Sequence, residues 1–123
     1  MMDISSQDLS DFLMENPQAV VVDVRFTNER DEYGYVHGSK HVPLFTGDWD
    51  DNPDFADELF AAAPKDAPVI FVCRSGNRSC AACERAIELG YRQVYNLKGG
   101  HVELASLFTG SSEEGRQLLH MPG

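Results

Sequence analysis

Short apolar runs alternate with amphipathic segments along the chain. The run Ala19 to Val22 is apolar throughout, which is typical of a strand buried on both faces. Leu9, Phe12 and Leu13 instead recur at helical spacing behind a Ser-x-x-Asp start that resembles a capping box. Strands are predicted at 19–22, 41–44, 68–73 and 93–97, and helices at 6–15, 27–33, 54–63, 78–89, 101–108 and 112–119.

This alternation predicts an α/β fold with a mostly parallel sheet covered by helices on both faces. In such sheets ligands bind outside the carboxyl ends of the strands. Asp23 and Cys73 each stand at the end of a predicted strand. The pattern therefore predicts that both residues lie at the ligand-binding edge of the sheet.

The length and charge of the chain limit the classes of protein it can belong to. Its 123 residues suit one domain, and a domain of this size can bury a substantial core. Twenty acidic residues against ten basic ones give a net charge of −10, which disfavours binding to nucleic acid or to anionic membranes. No apolar run approaches the ~20 residues that span a bilayer, and the N-terminus does not resemble a signal peptide. We expect one cytoplasmic domain over residues 1–123, without a membrane or nucleic-acid partner.

The segment that follows the strand predicted at 68–73 carries the chemistry. Gly76 permits a tight turn in which successive backbone N–H groups converge on an anion, and the next helix adds its positive end. Arg74 and Arg78 supply full positive charges. Each effect favours a thiolate over a thiol at Cys73, so the loop predicts an activated cysteine nucleophile.

The basic residues are unevenly distributed. Arg74, Arg78 and Arg85 follow Cys73 closely, whereas acidic residues crowd the stretch 48–57. An acidic protein with one local cationic loop suits a small anionic substrate.

Four segments in register resemble the rhodanese family, and together they span about residues 4–108. They are Val22-Asp23-Val24-Arg25, Tyr35-Val36-His37-Gly38-Ser39-Lys40-His41-Val42-Pro43, Cys73-Arg74-Ser75-Gly76-Asn77-Arg78-Ser79 and Tyr95-Asn96-Leu97-Lys98-Gly99-Gly100. The second departs from the family pattern by several substitutions. The resemblance implies a single rhodanese domain with a core at about 4–108. It also implies a three-layer α/β/α fold whose mostly parallel sheet has five strands.

The resemblance also implies a ping-pong sulfur transfer through a persulfide on Cys73. The donor would be a small sulfur anion such as thiosulfate, and the acceptor would be cyanide or a thiol, a protein acceptor included. Arg74 and Arg78 would bind the donor, backbone N–H groups would hold the negative sulfur, and Ser75 or Ser79 would add a hydroxyl. The substrate-binding residues implied are Arg74, Ser75, Gly76, Asn77, Arg78 and Ser79.

The length of the loop separates this chemistry from phosphate chemistry. Related phosphatases use a Cys-x5-Arg loop, whereas here Arg78 follows Cys73 after four residues and Ser79 takes the position of that arginine. The shorter loop suits a single sulfur atom better than a tetrahedral phosphate.

Asp23 and Arg25 are predicted to support the site without touching the substrate. The pair Cys80 and Cys83 has redox-like spacing but lies in a predicted helix with small neighbours, which favours packing. Cys80 as a resolving thiol for Cys73 is the alternative.

Other features are given structural roles. Absent a second ligand pair, we expect no metal or other cofactor. The aromatic residues are assigned to the core rather than to a pocket: Phe45, Trp49 and Phe55. His37 and His41 are expected to hold a loop together, and His101 is expected near the rim of the pocket.

Two other functions stay open at the level of sequence. One is a non-catalytic rhodanese-like module that binds or regulates partners, although such modules commonly lack the cysteine nucleophile. The other is a carrier that accepts persulfide sulfur from a partner protein, which shares all the chemistry of the enzyme.

Overall fold

The computed structural model describes residues 1–108 and 113–122, where strands and helices alternate. The strands are β1 (Met2–Ile4), β2 (Val20–Asp23), β3 (Tyr35–Val36), β4 (Lys40–His41), β5 (Val69–Val72), β6 (Val94–Leu97) and β7 (Leu119–His120). The helices are α1 (Ser6–Glu15), α2 (Thr27–Tyr33), α3 (Phe55–Ala62), α4 (Asn77–Glu88), α5 (Gly100–Leu107) and α6 (Glu113–Leu118). The helix predicted at 112–119 begins outside the described residues and ends one residue early, because Leu119 opens β7.

Five strands form one parallel sheet in the order β1-β6-β5-β2-β4. The α/β fold class and the five-stranded sheet are thereby confirmed. β5 lies in the middle of the sheet, and its four residues are all buried. The carboxyl ends of β2 and β5 lie side by side, since Asp23 pairs in register with Val72. Asp23 and Cys73 therefore meet at the same edge, as the sequence predicts.

Alternate residues of the central strands feed two cores. Val22 and Phe71 face one core, which includes Phe55 and Leu59 of α3 together with Cys83 of α4. The other core lies on the opposite face and is formed by these buried residues: Ile4, Leu9, Val21, Val36, Ile70, Val72, Leu97, Leu104, Leu118 and Leu119. Helices thus cover both faces of the sheet, in three layers.

The edge strand β4 is shorter than its sequence suggests. The prediction places a strand at 41–44, but the regular pairing with β2 covers only Lys40 and His41. The backbone N–H groups of Val42 and Leu44 then donate to the carbonyls of Asp23 and Val24, at 3.0 and 3.2 Å. These two acceptors are adjacent in sequence, whereas a regular parallel ladder places them two residues apart, so the regular pairing ends at His41.

Two pairings were not predicted. β1 adds a fifth strand beside β6. β3 and β7 form a two-stranded antiparallel ribbon outside the main sheet, with Val36 opposite Leu119. Within the described residues, no helix is both long and apolar enough to cross a membrane.

Candidate active site

Cys73 stands directly after β5, at the floor of a cleft of about 1120 Å³. The residue is only 1% exposed. The backbone N–H of Gly76 donates to its Sγ at 2.9 Å, and the Ser79 Oγ lies 3.2 Å from the same sulfur. Gly76 has φ 110, in the left-handed region that glycine tolerates, and it caps the start of α4. The loop therefore turns one backbone donor directly onto the sulfur.

The loop residues divide between the cleft and the layer beneath it. Arg74, Ser75, Asn77 and Arg78 line the cleft together with Cys73. Ser79 is fully buried under the loop, where it reaches the sulfur from below. The structure thus places Gly76 and Ser79 against the Cys73 sulfur and the other predicted loop residues along the cleft, while their roles in binding substrate stay predictions.

Arg78 has a partner that the sequence did not reveal. Its guanidinium donates two hydrogen bonds to the carboxylate of Glu29 on α2, at 2.7 and 2.8 Å. It also lies 5.5 Å from the ring centroids of both Phe26 and Trp49. The charge predicted to meet an anionic donor is therefore matched by a carboxylate and flanked by aromatic rings.

The ion pair changes the titration of both partners. Burial opposes ionisation of Glu29, but the hydrogen bonds from Arg78 and from the backbone N–H of Phe26 outweigh it, and the pKa of Glu29 is lowered. The hydrogen bonds to Glu29 raise the pKa of Arg78. Both groups stay charged at neutral pH.

Trp49 lies in the wall of the cleft rather than in the core. Its side chain is 61% exposed and contacts Phe26 edge-on, with 4.8 Å between ring centroids. Its backbone has φ 64, held in a turn by the hydrogen bond from its N–H to the Thr46 carbonyl at 2.9 Å. The left-handed backbone places the ring outside the core, so the core assignment for Trp49 was wrong. Phe55 is fully buried, as predicted, whereas Phe45 is half-buried and both packs against the core and lines the cleft.

Asp23 and Arg25 form a buried pair behind the loop. Arg25 donates to the Asp23 carboxylate from Nε at 2.9 Å and from Nη2 at 2.7 Å. The same carboxylate accepts from Arg30 Nη1 at 3.0 Å. Burial works against the charge on Asp23, but Arg25 and then Arg30 outweigh it and lower the pKa of Asp23. Arg25 also donates to the Gly34 carbonyl at 2.7 Å, which ties β2 to the end of α2.

The two glycines that end the late family-like segment hold the loop in place. Gly99 and Gly100 have φ 82 and φ 66, and they let the start of α5 approach the loop backbone. The N–H of His101 donates to the Cys73 carbonyl at 2.8 Å. A Cβ on Gly100 would overlap the Arg74 carbonyl. This close approach explains why glycine is needed there.

His101 is buried rather than placed at the rim. It is 2% exposed, and its Nε2 donates to the Tyr33 carbonyl at 2.9 Å. Burial, and then the nearby Arg25 charge, lowers the pKa of His101. The residue therefore acts as a neutral structural donor between α5 and α2.

The other two cysteines differ in environment, and all three are free thiols. Cys83 is fully buried in the core, and burial followed by the charge of Cys80 raises the pKa of Cys83 to about 12. Cys80 is half-buried, with its Sγ 3.9 Å from the sulfur of Met1. In the described part of the chain, no cluster of His, Cys, Asp and Glu has the arrangement of a metal site.

The sequence did not predict three residues that contribute to the site. Glu29 and Arg30 lie on one turn of α2 and reach the loop and Asp23 only in the folded chain. Asn96 accepts a hydrogen bond from Ser79 at 2.5 Å. Its polar side chain within the otherwise apolar strand segment Val94 to Leu97 is a signal that could have identified it.

Known proteins resemble this chain over most of its length. The sequence profile of the rhodanese-like domain family matches residues 5–106. The thiosulfate sulfurtransferase GlpE of Pseudomonas aeruginosa is 35% identical over 97 residues, which cover 79% of each chain.

Solved structures show the same architecture. The crystal structure of Rv0390 from M. tuberculosis superposes with a TM-score of 0.74 at 38% identity, covering 81% of this chain and 79% of that one. A rhodanese-like domain protein from Staphylococcus aureus, at 24% identity, covers all of both chains with a TM-score of 0.71 and shares the fold.

Proposed function

Because this chain belongs to the rhodanese-like domain family, we propose that it moves sulfane sulfur from a donor such as thiosulfate to a thiophilic acceptor through a persulfide on Cys73. Sulfurtransferase activity in general is supported by the family and by the GlpE relatives. The observation that carries the proposal is the cysteine sulfur at the floor of the cleft, with the Gly76 N–H donating to it at 2.9 Å. A persulfide anion formed there keeps a fixed donor close to its charge.

In the first half-reaction the Cys73 thiol loses its proton to solvent and the thiolate attacks the outer sulfur of thiosulfate. A new S–S bond forms at Cys73, and the bond between the two thiosulfate sulfurs breaks. Sulfite leaves with the electron pair. The products are the Cys73 persulfide anion and sulfite, so charge and atoms balance.

In the second half-reaction the acceptor attacks the terminal sulfur of the persulfide. Cyanide gives thiocyanate, and a thiolate gives a new persulfide on the acceptor. The S–S bond on Cys73 breaks, and its electron pair restores the thiolate. One sulfur atom is transferred in each cycle without net oxidation.

Arg74 is the arginine of the loop best placed to attract an anionic donor. Its side chain is exposed at the cleft, whereas the guanidinium of Arg78 is held by Glu29. We infer that Arg74 steers the donor, and that Ser75 and Asn77 add polar contacts along its path.

A thiol acceptor carried on a larger molecule is favoured by the size of the cleft. Its volume of about 1120 Å³ slightly exceeds the range of about 300–1,000 Å³ found for the pockets of drug-sized ligands. Phe45 and Trp49 give one wall an apolar surface that a sulfite or cyanide ion does not use. A partner protein that presents a cysteine would fit this opening.

The test is to incubate the protein with thiosulfate and measure its intact mass. The wild type is expected to gain one sulfur atom and to lose it again when cyanide is added. Cys73→Ser should gain none, while Cys80→Ser, the matched control, should gain the same amount as the wild type. If no sulfane donor adds sulfur to the wild type, the enzyme proposal is overturned and a partner-binding module is favoured.

A further inference from the structure

A line of hydrogen bonds runs from Cys73 to the first strand of the sheet. The Ser79 Oγ lies 3.2 Å from the Cys73 Sγ and 2.5 Å from the Asn96 Oδ1. The Asn96 Nδ2 in turn donates to the Asp3 carboxylate at 3.3 Å. Ser79 is fully buried and Asn96 is 8% exposed, so water has little access to either side chain.

Two atoms lie within reach of the Ser79 hydroxyl proton, the Cys73 Sγ and the Asn96 Oδ1. The amide oxygen of Asn96 can only accept, so at 2.5 Å Ser79 must donate its single proton there. The Ser79 oxygen is then left as an acceptor towards Cys73. At 3.2 Å this arrangement suits an S–H group on Cys73. Every donor in the line thus points away from Cys73 and towards Asp3.

When Cys73 carries a thiolate or a persulfide, its sulfur needs a hydrogen-bond donor from Ser79 instead of an acceptor. The charged sulfur requires donors, and the Gly76 N–H supplies one at 2.9 Å. Ser79 can supply a second only by turning its proton away from Asn96, which leaves a buried amide oxygen without a donor.

The Asn96 amide cannot easily turn over to compensate for that loss. A turned amide would place its oxygen against the Asp3 carboxylate, where its Nδ2 now donates at 3.3 Å. Asp3 therefore fixes the orientation of the amide, and the amide fixes the direction in which Ser79 donates.

We propose that Asn96 is a positioning residue that holds the Ser79 proton away from Cys73 and so withholds a second hydrogen-bond donor from a charged sulfur on Cys73. This inference rests on the proposed function in taking Cys73 as the reacting atom. It assigns Ser79 two states, an acceptor towards the thiol and a donor towards the charged sulfur. The Gly76 N–H stabilises negative charge on the Cys73 sulfur, and the Asp3–Asn96–Ser79 line works against that stabilisation.

Substitutions of Asn96, Ser79 and Asp3 leave the other charged and titratable groups around Cys73 in place. They are Arg74 in the loop, Arg78, Cys80 and Cys83 on α4, Asp23 and Arg25 at the end of β2, Glu29 behind Arg78, and His101 on α5. A change in Cys73 reactivity on substitution of Asn96 therefore reports on the hydrogen-bonded line.

The experiment measures alkylation of Cys73 by iodoacetamide against pH, with each cysteine resolved by peptide mass spectrometry. Asn96→Leu keeps the approximate volume and removes the competing acceptor. The midpoint of the Cys73 profile is expected to move about one unit to lower pH, which is about tenfold more thiolate at a given pH below it.

Coupling through Ser79 distinguishes this mechanism from a general loosening of the fold. In a Ser79→Ala background, Asn96→Leu should leave the Cys73 midpoint unchanged, because there is no hydroxyl to release. An equal shift with and without Ser79, or no shift at all, overturns the proposal.

A second variant is available if Asn96→Leu does not fold. Asp3→Asn changes an exposed residue and lets the Asn96 amide turn over, so a smaller shift to lower pH is expected. The effect of merely removing the Asp3 charge would persist in the Ser79→Ala background, whereas the effect through the line would vanish. Persistence of the whole shift overturns the proposal.

The outcome is separable from the proposed function because alkylation needs no sulfur donor. Sulfur loading from thiosulfate is measured on the same samples. A protein that shows the coupled shift but never gains sulfur would contradict the transferase and leave the role of Asn96 intact.

Discussion

Arg78 and Glu29 form a two-point ion pair across 49 residues of sequence, with N–O distances of 2.7 and 2.8 Å. The pair joins the start of α4 to α2 and forms part of the cleft above Cys73. The Arg78 guanidinium, which the sequence predicted to bind the donor, is thereby held by a carboxylate of the protein itself. Under the proposed function, anion binding in the cleft depends on Arg74, and the strength of the pair sets how much charge Arg78 offers to a donor.

Glu29→Gln is expected to improve the use of thiosulfate. The substitution removes the carboxylate charge that balances Arg78, and a freed charge near the donor is worth about 1 kcal/mol, or about fivefold in kcat/KM. Initial rates at low and high salt check this, since the gain should shrink as ionic strength rises. Glu32→Gln is the matched control, because Glu32 lines the same cleft and its removal leaves the pair intact. An equal gain from both variants would contradict a specific role for the pair.

Asp23 is expected to make folding stability sensitive to acid. Its folded-state pKa is lowered below the ordinary value of 3.8, because Arg25 and Arg30 outweigh the effect of burial. Its contribution is therefore complete above the unfolded pKa and is lost as pH falls through the folded value. Urea unfolding of the wild type should show stability falling over that acidic range.

Asp23→Asn provides the check on this assignment. At neutral pH it leaves the buried Arg25 charge without its partner and should lower the free energy of unfolding by about 3–5 kcal/mol. The difference in the free energy of unfolding between wild type and variant should then become smaller as pH falls below 3.8. Asp31→Asn, at an exposed position on the same helix as Arg30, should change the free energy little. A constant gap at all pH values would rule out the titration of Asp23 as its source.

Cys83 is expected to resist alkylation in the folded protein. With the pKa raised to about 12, only about one molecule in 10⁵ carries a Cys83 thiolate at pH 7. Iodoacetamide should label Cys73 and Cys80 in the native state and all three cysteines in concentrated urea, as followed by peptide mass spectrometry. Labelling of Cys83 as fast as Cys80 without denaturant would show that α4 opens more readily than its packing suggests.

Gly100→Ala is expected to damage both stability and sulfur loading. The new Cβ would overlap the Arg74 backbone at a position with φ 66, so the loop or α5 has to move. Gly38→Ala is the control, because Gly38 has φ 76 but nothing within 4 Å of an added methyl group. The free energy of unfolding should fall by about 1–2 kcal/mol in the control, from backbone strain alone. In Gly100→Ala it should fall by about 1–3 kcal/mol more, because of the overlap. Equal losses, with sulfur loading intact in both, would contradict the close approach.

Local patterns in the sequence predicted much of the fold. The strand β5 and the Ala-rich helix α4 were predictable because both depend on burial and on residues that are close in sequence. The alternation of strands and helices was enough to place Asp23 and Cys73 at one edge of a parallel sheet. The short strand β1 was missed, because three residues give no periodicity.

The contacts that set the chemistry of the site could not be predicted in the same way. The Arg78–Glu29 pair and the Ser79–Asn96 hydrogen bond join residues 49 and 17 positions apart. Their existence depends on how α2 and β6 pack beside the loop. Trp49 was misassigned for a related reason, since its hydrophobicity suggests burial while the local turn holds its backbone at φ 64.

The pairing of β1 with β6 also constrains the order of events during synthesis. Asp3 leaves the ribosome well before its register partner Asn96, which lies 93 positions later in the chain. β1 therefore has to wait for β6 before it can join the sheet, and the hydrogen-bonded line to Cys73 is completed only then. The cysteine loop is made earlier than β6, so the Asp3–Asn96–Ser79 line cannot act on Cys73 until this late pairing has formed.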